Sequence, residues 1–186
     1  MNIRTQFGVV FTFLTLMFSS CSEDSDFQPD FSRYTVFRVL LTDNPTNLEE
    51  VNIDLKEVEI IGRGQRNTKV LDTDAGIYNL LDYQNGLTAV IAGAILEDFD
   101  YIQEVRLILG DENSVKAGGE VFPLKVSSGS SSGLKIKTKT CIDLTETMNY
   151  DLILDFDAEK SVKQNGKGDY RLVPVIKALN EDADCG

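Results

Sequence analysis

Short runs of alternating apolar and polar residues, separated by glycine, asparagine and aspartate, restrict the folds open to this chain more than any other feature. Such runs occupy Tyr101–Leu109 and Asn149–Phe156, and Tyr34–Thr42 is a run of β-branched and aromatic residues with few breakers. In the last run every second residue from Tyr150 to Phe156 is apolar, which puts these side chains on one face of a strand. Strands at this short spacing indicate an all-β sandwich. We find no repeating strand–helix pattern, so we do not expect a nucleotide-binding α/β fold.

Two further strand candidates contain an irregularity. In Glu50–Ile61 the apolar residues Leu55 and Val58 are three positions apart rather than two. A β-bulge between them restores the alternation, and we expect one there. Tyr170–Leu179 contains Pro174, which predicts that this strand lies at a sheet edge or is interrupted by a bulge.

Helix is expected only in short pieces. Thr88–Leu96 is rich in alanine and is the best candidate for one short helix, although Gly93 weakens it. Asp157–Val162 is expected to form a single helical turn with Asp157 as its N-cap. Gly110–Asn113 is expected to be a hairpin-type connection.

The residue types that the chain lacks exclude several kinds of chemistry. Its 186 residues include no histidine, no tryptophan and three cysteines, so neither a Ser-His-Asp nor a Cys-His nucleophile can be built, nor a zinc site that needs histidine. Lys and Arg number 18 against 30 Asp and Glu, a formal charge of −12. So acidic a chain is unsuited to binding phosphate backbones, and we expect no nucleic-acid partner. No Gly-rich phosphate loop matches either.

The first residues have the features of an export signal. Arg4 precedes an apolar run at 7–18, which as a helix spans about 18 Å and is too short for a bilayer core of about 30 Å. The run ends in Phe18–Cys21, where small residues before a cysteine resemble the lipobox of bacterial lipoproteins. We expect a lipoprotein signal peptide at 1–20 and acylation of Cys21, palmitate included, which anchors the chain stably. The alternative is an ordinary signal peptide in which Cys21 has no role.

The rest of the chain divides into three parts. We expect an acidic tether at 21–33, the β-sandwich domain at 34–180 and an acidic tail at 181–186. Directly after the cysteine, Ser22–Asp26 resembles the export signal of Bacteroidetes-type lipoproteins, which places the anchor on the outer face of the outer membrane. We therefore expect an outer-membrane lipoprotein exposed at the cell surface, with a periplasm-facing anchor as the alternative.

Acidic residues in the expected loops raise the question of a metal site or a carboxylate pair. Asp72, Asp74 and Gly76 begin like a calcium loop, but the position of the glycine and the twelfth residue do not match that motif. Other loop carboxylates that could meet in space are Asp43, Asp111, Glu112, Asp155 and Asp157. A glycosidase needs two carboxylates about 5–10 Å apart. Among 30 acidic residues, some pair meets this distance by chance. We expect no metal, no cofactor and no catalytic residue.

Two cysteines are left once Cys21 is acylated. In an oxidising compartment Cys141 and Cys185 can form a disulfide. It closes a loop of 44 residues and stabilises the fold by about 3–4 kcal/mol in the chain-entropy model. Because Cys185 lies beside the end of the tail, a free thiol is the alternative.

Aromatic side chains near loops and strand ends could form a sugar-binding platform. The candidates are Tyr83, Phe99, Tyr101, Phe122 and Tyr170. Residues of this kind belong more often to the core or its edge, so both interpretations stay open.

Several segments, in this order, resemble the bacterial (Bacteroidetes-type) lipoprotein family known as domain of unknown function 4382. The resemblance covers about residues 34–179. The segments that carry it are Val39–Pro45, Glu50–Ile60, Tyr78–Asp82, Asn85-Gly86, Val105–Leu109, Gly133–Ile136, Leu154–Val162 and Tyr170–Ile176. The turn Leu96–Tyr101 differs from the family pattern. The resemblance implies a prealbumin- or immunoglobulin-like β-sandwich, and it supplies no catalytic residues. We expect about seven to eight strands and one short helix.

Taken together, the sequence predicts a lipid-anchored protein of the cell envelope that acts as a non-enzymatic binding module. Its partners are expected to be the membrane, through the anchor, and a glycan or protein ligand. A second hypothesis is a structural subunit or anchor of a fimbria-like surface assembly, in which a strand is exchanged between chains. A third is a hydrolase that uses a carboxylate pair.

Overall fold

Strands account for most of the part of the chain that the structure describes. The structure is a computed structural model and describes residues 34–63, 67–97, 99–126 and 134–180, with the backbone alone for 134–141. The predicted signal peptide, the tether with Cys21 and the tail with Cys185 lie outside the described residues.

Within these residues there are fourteen strands, one 3-10 helix and one α-helix. In chain order they are β1 Tyr34–Thr42, β2 Glu50–Gly62, β3 Thr68–Val70, β4 Asp72–Thr73, β5 Gly76–Asn79, the 3-10 helix Leu80–Tyr83, β6 Ala89–Glu97, β7 Tyr101–Leu109, β8 Ser114–Ala117, β9 Glu120–Val126, β10 Leu134–Asp143, β11 Asn149–Phe156, α1 Ala158–Ser161, β12 Val162–Gln164, β13 Tyr170–Leu172 and β14 Ile176–Ala178. The predicted all-β fold is confirmed. The strands outnumber the seven or eight expected because the chain adds short ones of two to four residues.

The strands form two sheets. One has five strands in the order β14-β11-β1-β6-β4, and β1 runs parallel to β11 and antiparallel to β6. The other has nine strands, with the path β10-β7-β2-β8-β9-β13-β12 and with β3 and β5 also paired to β2. The segment that contains β3 and β4 connects the sheets, since β3 pairs with β2 and β4 pairs with β6.

The core is built from the alternate residues that the sequence places on one face of each long strand. In β1 the side chains of Phe37, Val39 and Leu41 are fully buried, and the residues between them face outward. Leu152 and Leu154 of β11 are buried in the same way, as the alternation predicts. Each such side chain contributes about 1.5–3 kcal/mol by leaving water, so the core dominates the stability of the fold.

Strand β2 contains the predicted bulge. Its register with β7 shifts between Leu55 and Glu57, which returns Val58 to the buried face. The predicted bulge is confirmed. The extra residue in β2 keeps the apolar residues on either side of it, Leu55 and Val58, facing the core.

The expected hairpin at Gly110–Asn113 is wrong. Leu55 pairs with both β5 and β7, and Asn52 pairs with both β5 and β8. Strands β7 and β8 therefore lie along the same edge of β2, and the segment between them is a bulge rather than a reversal. The amide of Gly110 donates to the Asp54 carbonyl at 2.7 Å, and the Asp54 amide donates to Asn113 Oδ1 at 2.9 Å. The Asn113 side chain thus takes the place of a main-chain partner.

The expected helix at Thr88–Leu96 is also wrong, because these residues form strand β6. Pairing with β1 runs from Tyr34 opposite Glu97 to Leu41 opposite Ala89, and it satisfies the backbone better than a short isolated helix could. Helix propensity is a weak prior that tertiary pairing overrides.

In the C-terminal part the predicted N-cap is confirmed, whereas the single strand expected over Tyr170–Leu179 is wrong. Asp157 is the N-cap of α1, and its side chain accepts a hydrogen bond from the Lys160 amide at 3.0 Å. Pro174 lies between β13 and β14, which belong to different sheets. The proline therefore marks the place where the last strand is interrupted and the chain passes from one sheet to the other.

Candidate functional site

Exposed apolar side chains extend across neighbouring strands on the solvent side of the five-stranded sheet. We call the surface formed by Tyr34, Val36, Leu40, Val90 and Ile95 the outer face. Val36 lies directly opposite Ile95, and Leu40 lies opposite Val90. Val36 is 44 % exposed and Ile95 is 60 % exposed. The sheet therefore presents apolar residues on both sides, although only one side is covered by the core.

The centre of the outer face holds an ion pair. Arg38 Nε donates to Asp151 Oδ1 at 2.6 Å and Arg38 Nη2 donates to Asp151 Oδ2 at 2.5 Å. Such a bidentate pair is more directional than a single contact. The hydrogen bond and the negative charge of Asp151 raise the pKa of the Arg38 guanidinium above its usual value. These two charges therefore satisfy each other within one molecule.

A closely packed glycine lies beside the ion pair. Gly93 of β6 pairs with Arg38 of β1, and a Cβ atom at Gly93 would lie 3.3 Å from the carbonyl oxygen of Phe37 and 3.7 Å from Arg38 Cγ. A side chain at position 93 would therefore crowd the backbone of β1, and the close approach of β6 to β1 favours glycine there.

Charged side chains of both signs lie on the outer face and on its rim. Among them are Arg38, Lys69, Lys177, Asp72, Glu97, Asp151 and Asp155. Lys69 also donates from Nζ to the Ile95 carbonyl at 2.8 Å, which covers part of the edge of β6.

A side chain rather than a strand closes part of the β11 edge. Strand β14 pairs only with Leu154–Phe156. Beyond that point Asn180 Oδ1 accepts a hydrogen bond from the Ile153 amide at 2.9 Å, and Asn180 Nδ2 donates to the Asp151 carbonyl. An amide side chain placed in this way occupies the groups with which another strand could pair.

Two of the loop carboxylates singled out in the sequence, Asp43 and Asp155, lie close enough to interact at the ends of β1 and β11, and a third follows directly after β11. Asp43 accepts hydrogen bonds from the Ala158 amide at 2.8 Å and from Gln84 Nε2 at 3.2 Å. Asp155 accepts two from Asn44 Nδ2, at 3.0 and 2.8 Å. The third is Asp157, the N-cap of α1. All three are buried, and their hydrogen bonds tie β1, β11 and α1 together.

The electrostatics of this cluster differ from one carboxylate to the next. Burial raises the pKa of Asp43, the nearby charge of Asp155 adds to that, and the hydrogen bonds from Ala158 and Gln84 offset only part of it. Burial also acts to raise the pKa of Asp157, but the hydrogen bonds and the charge of Lys160 outweigh it, and the net pKa is lowered. The donors around these groups belong to the fold itself, so the arrangement explains them as structural residues.

The other acidic candidates are not brought into this cluster. Asp111 and Glu112 lie in the bulge between β7 and β8, and Asp72 and Asp74 lie in and directly after β4. Within the described residues, no group of three or more Cys, Asp or Glu side chains is placed to hold a metal ion.

A small polar cleft lies next to the bulge. It has a volume of about 320 Å³ and is lined by Gly110, Asp111, Asn113, Pro123, Leu124, Lys125 and Val126. That volume is at the lower end of the roughly 300–1,000 Å³ of ligand pockets. Asp54 is 1 % exposed. It accepts a hydrogen bond from the Glu112 amide at 3.2 Å and pairs with Lys56 Nζ at 2.8 Å. The bulge that borders the cleft is therefore held in place from inside.

The five aromatic candidates are all half-buried. Tyr83 packs against Tyr78 with ring centres 6.2 Å apart, and the rings of Phe122 and Tyr170 lie 5.1 Å apart. Phe99 packs against the core, and Tyr101 lies under the Arg63 guanidinium at 5.5 Å. These contacts place the aromatics at the edge of the core, which is the ordinary role that the sequence left open.

The cysteine predictions fall mostly outside the described part of the chain. Cys21 and Cys185 lie beyond it, and Cys141 lies in β10, where the structure describes the backbone alone. Acylation of Cys21 and the disulfide between Cys141 and Cys185 stay predictions.

Sequence reasoning missed the outer face, although a signal for it was present. In β1 the residues Tyr34 and Val36 are apolar, and so are Phe37 and Val39 on the opposite side of the strand. A strand that is apolar on both sides is typical of sheets covered on both faces. The same pattern in β6 favours a helix when the sequence is considered alone, and the predicted helix conceals the apolar face.

Comparison with known proteins assigns the domain to a family. The family model described as "Domain of unknown function (DUF4382)" matches residues 35–174, and the chain belongs to this family. The searches of curated proteins and of solved structures give no significant match. In the described residues we find no helix long and apolar enough to cross a membrane.

Proposed function

We propose that this member of the DUF4382 family is a lipid-anchored protein of the cell envelope that works as a non-enzymatic binding module and takes a protein as its ligand. The observation that supports the proposal is the outer face, where exposed Val36 and Ile95 lie side by side on a sheet whose other face is already buried. Contiguous exposed apolar patches of this kind are typical of protein interaction sites.

The anchor is proposed from the sequence alone. The run Phe18–Cys21 resembles a lipobox, and Ser22–Asp26 resembles a surface-export signal. The test is metabolic labelling with palmitate in cells that express the full chain. We expect label in the native protein and none in Cys21→Ser, and protease added to intact cells should degrade the native domain. Equal labelling of both proteins contradicts the anchor, and protection from protease contradicts surface exposure.

A protein ligand fits the described surface better than a glycan. Glycan platforms use exposed aromatic rings, whereas the five aromatic candidates are half-buried against other side chains. The polar cleft of about 320 Å³ is a place where a small sugar could enter, but no aromatic side chain lines it. The apolar outer face is suited instead to another folded surface.

The test of the binding function is site-specific photo-crosslinking in intact cells. A photoreactive amino acid is placed at Ile95 in one strain and, as a matched control, at Ile77 in another. These residues are 60 % and 57 % exposed, but Ile77 lies in β5, in the other sheet. We expect a protein adduct from position 95 and none from position 77. No protein adduct at position 95, or a lipid adduct in its place, contradicts the proposal.

A strand-exchange role in a surface fibre is a second candidate. The observation that favours it is β10, ten residues long and at the end of the nine-stranded sheet. Edge strands of this length can pair with a strand of another chain. Fibre subunits are expected to give a ladder of bands on mildly denaturing gels of unheated cell-envelope extracts. A single band argues against this candidate and leaves the binding module untouched.

A further inference from the structure

We propose that a row of three basic side chains on the nine-stranded sheet binds an acidic polysaccharide, one that carries carboxylate or sulfate groups. We call Lys125, Arg171 and Lys163 the basic row. It lies on strands β9, β13 and β12, in a different sheet from the outer face. The proposal therefore does not rest on the protein-binding function.

Strand pairing brings the basic row into line. Arg171 lies opposite Lys125 in the parallel pair of β13 with β9, and opposite Lys163 in the antiparallel pair of β13 with β12. Residues in register on neighbouring strands point to the same side of a sheet, and all three residues are exposed. Because neighbouring strands are about 4.8 Å apart, the row spans only about 10 Å.

A row of like charges is unfavourable within a sheet. Like charges directly opposite each other on neighbouring strands are destabilising, and here the same sign occupies three strands in succession. Within the residues that the structure describes, none of the three makes an ion pair, whereas Arg38 pairs with Asp151 and Lys116 pairs with Glu50. Departures of this kind from the rules of a stable sheet are expected at functional sites.

The turn between β12 and β13 does not neutralise the basic row. Asp169 lies in this turn, but its carboxylate accepts a hydrogen bond from Asn165 Nδ2 at 3.0 Å. Lys167 lies in the same turn and is exposed. The two opposite charges of the turn cancel, so the positive charge of the row is available to a ligand.

The polar cleft beside the bulge adjoins one end of the basic row, because Lys125 also lines the cleft. The volume of about 320 Å³ is within the range of small-ligand pockets. Asp111 in its lining can accept hydrogen bonds from sugar hydroxyl groups. The surface therefore offers cations for charged groups beside a polar recess for a sugar ring. A saccharide that carries anionic groups matches both features, whereas a flat lipid surface cannot enter the cleft.

The residue types suit carboxylate and sulfate groups. The guanidinium of Arg171, in the middle of the row, can donate two parallel hydrogen bonds to one carboxylate. Lys125 and Lys163 on either side each present an ammonium group with three donors. Recognition by charge needs no aromatic platform. The repeated charges of an acidic polysaccharide can contact all three cations at once.

The experiment is isothermal titration calorimetry of the full chain, extracted in a mild nonionic detergent. Dextran sulfate and polygalacturonate are the acidic probes. Neutral dextran, polyglutamate and mixed micelles of phosphatidylglycerol with the same detergent are the comparison probes. We expect the native chain to bind at least one acidic polysaccharide, more weakly as salt is added, and not to bind neutral dextran.

Variants of the basic row test whether it carries the binding. Arg171→Gln removes the central cation and should weaken binding about tenfold, whereas Arg171→Lys should retain most of it. Lys177→Gln is the matched control, since Lys177 is also exposed but lies in the other sheet, opposite Asp155, and it should bind like the native chain. Without ligand, Arg171→Gln should not melt below the native chain, because it relieves repulsion. Lys125→Gln covers the case in which Arg171→Gln fails to fold.

The outcomes separate the basic row from the outer face. A native chain that binds neither acidic polysaccharide at low salt, or equal weakening by Arg171→Gln and Lys177→Gln, overturns the proposal. Stronger binding to polyglutamate or to the phosphatidylglycerol micelles than to both polysaccharides also overturns it, because the ligand is then an acidic protein or a lipid headgroup. Crosslinking from position 95 does not depend on these results, so the protein-binding function is tested separately.

Discussion

The replacement of Gly110 by alanine should destabilise the domain strongly, and the reason can be worked out atom by atom. A Cβ atom at this position would lie 2.1 Å from Asp54 Oδ2 and 2.3 Å from Lys56 Cε. The lysine side chain is flexible and half exposed, so it can move at little cost. The Asp54 carboxylate cannot, because it is 1 % exposed and accepts a hydrogen bond from the Glu112 amide.

Two responses are open to the protein, and each carries a cost. If the carboxylate rotates away, the hydrogen bond from Glu112 is lost, and a bond to a charged group contributes about 1.5–3 kcal/mol. The ion pair with exposed Lys56 adds less than about 1 kcal/mol. If the backbone shifts instead, the 2.7 Å bond from the Gly110 amide to the Asp54 carbonyl weakens, and overpacking of this kind costs about 1–3 kcal/mol. We expect Gly110→Ala to lower the free energy of unfolding by about 2–4 kcal/mol. For a chain of this length the melting temperature falls by roughly 4–16 °C.

The assay is urea denaturation followed by circular dichroism, with two comparisons. Gly76→Ala is the matched control, since a Cβ atom there meets nothing within 4 Å, and it should change stability by less than about 1 kcal/mol. In an Asp54→Ala background, which removes the clashing oxygen, Gly110→Ala should cost about 2 kcal/mol less than in the native chain. Equal effects of Gly110→Ala and Gly76→Ala, or additive effects of Gly110→Ala and Asp54→Ala, would refute the argument.

Three further predictions concern the edge of β11 and the buried carboxylates. Asn180→Ala removes both hydrogen bonds to β11. It should lower the free energy of unfolding by about 1–3 kcal/mol and increase aggregation measured by light scattering, whereas exposed Asn149→Ala should do neither. Because the pKa of Asp43 is raised in the folded state, its protonation stabilises the fold at low pH. This stabilisation is fully present below pH 3.8 and is lost as the pH rises. Denaturation at several pH values should therefore show Asp43→Asn gaining stability relative to the native chain from pH 3.5 to pH 7, and a constant difference contradicts this. The pKa of Asp157 is lowered, so its contribution is present at neutral pH and is lost below pH 3.8. Asp157→Ala should cost about 1 kcal/mol at pH 7 and less at pH 3, and an equal cost at both pH values contradicts the capping role.

Features that depend on a few neighbouring residues could be predicted from the sequence. The buried face of β11, the bulge in β2 and the cap at Asp157 each follow from spacing within about six residues. In each case the local pattern and the tertiary structure require the same conformation, which is why the predictions hold.

Features that depend on pairing across the chain could not be predicted in this way. The alanines and Gly93 of β6 favour no strand by themselves, and only pairing with β1 over its whole length determines the structure. The segment Gly110–Asn113 has the composition of a hairpin turn, but Asn113 instead bonds to the Asp54 amide and keeps β8 on the same edge of β2 as β7. Local composition specifies that the chain bends there, and distant partners decide in which direction.

The misreading of β6 and the missed outer face have one physical cause. In a strand with apolar residues on both sides, apolar and polar residues do not alternate, so its sequence resembles that of a short helix. For the same reason neither side of such a strand is polar. Exposure alone does not identify such a face. Val121 is 64 % exposed but lies opposite Lys116, and Ile77 lies opposite Asp54. Ile95 lies opposite Val36, so its neighbour across the sheet is also apolar and also exposed. What marks the outer face is that apolar residues continue from strand to strand, and contiguous exposed apolar patches are typical of interaction sites.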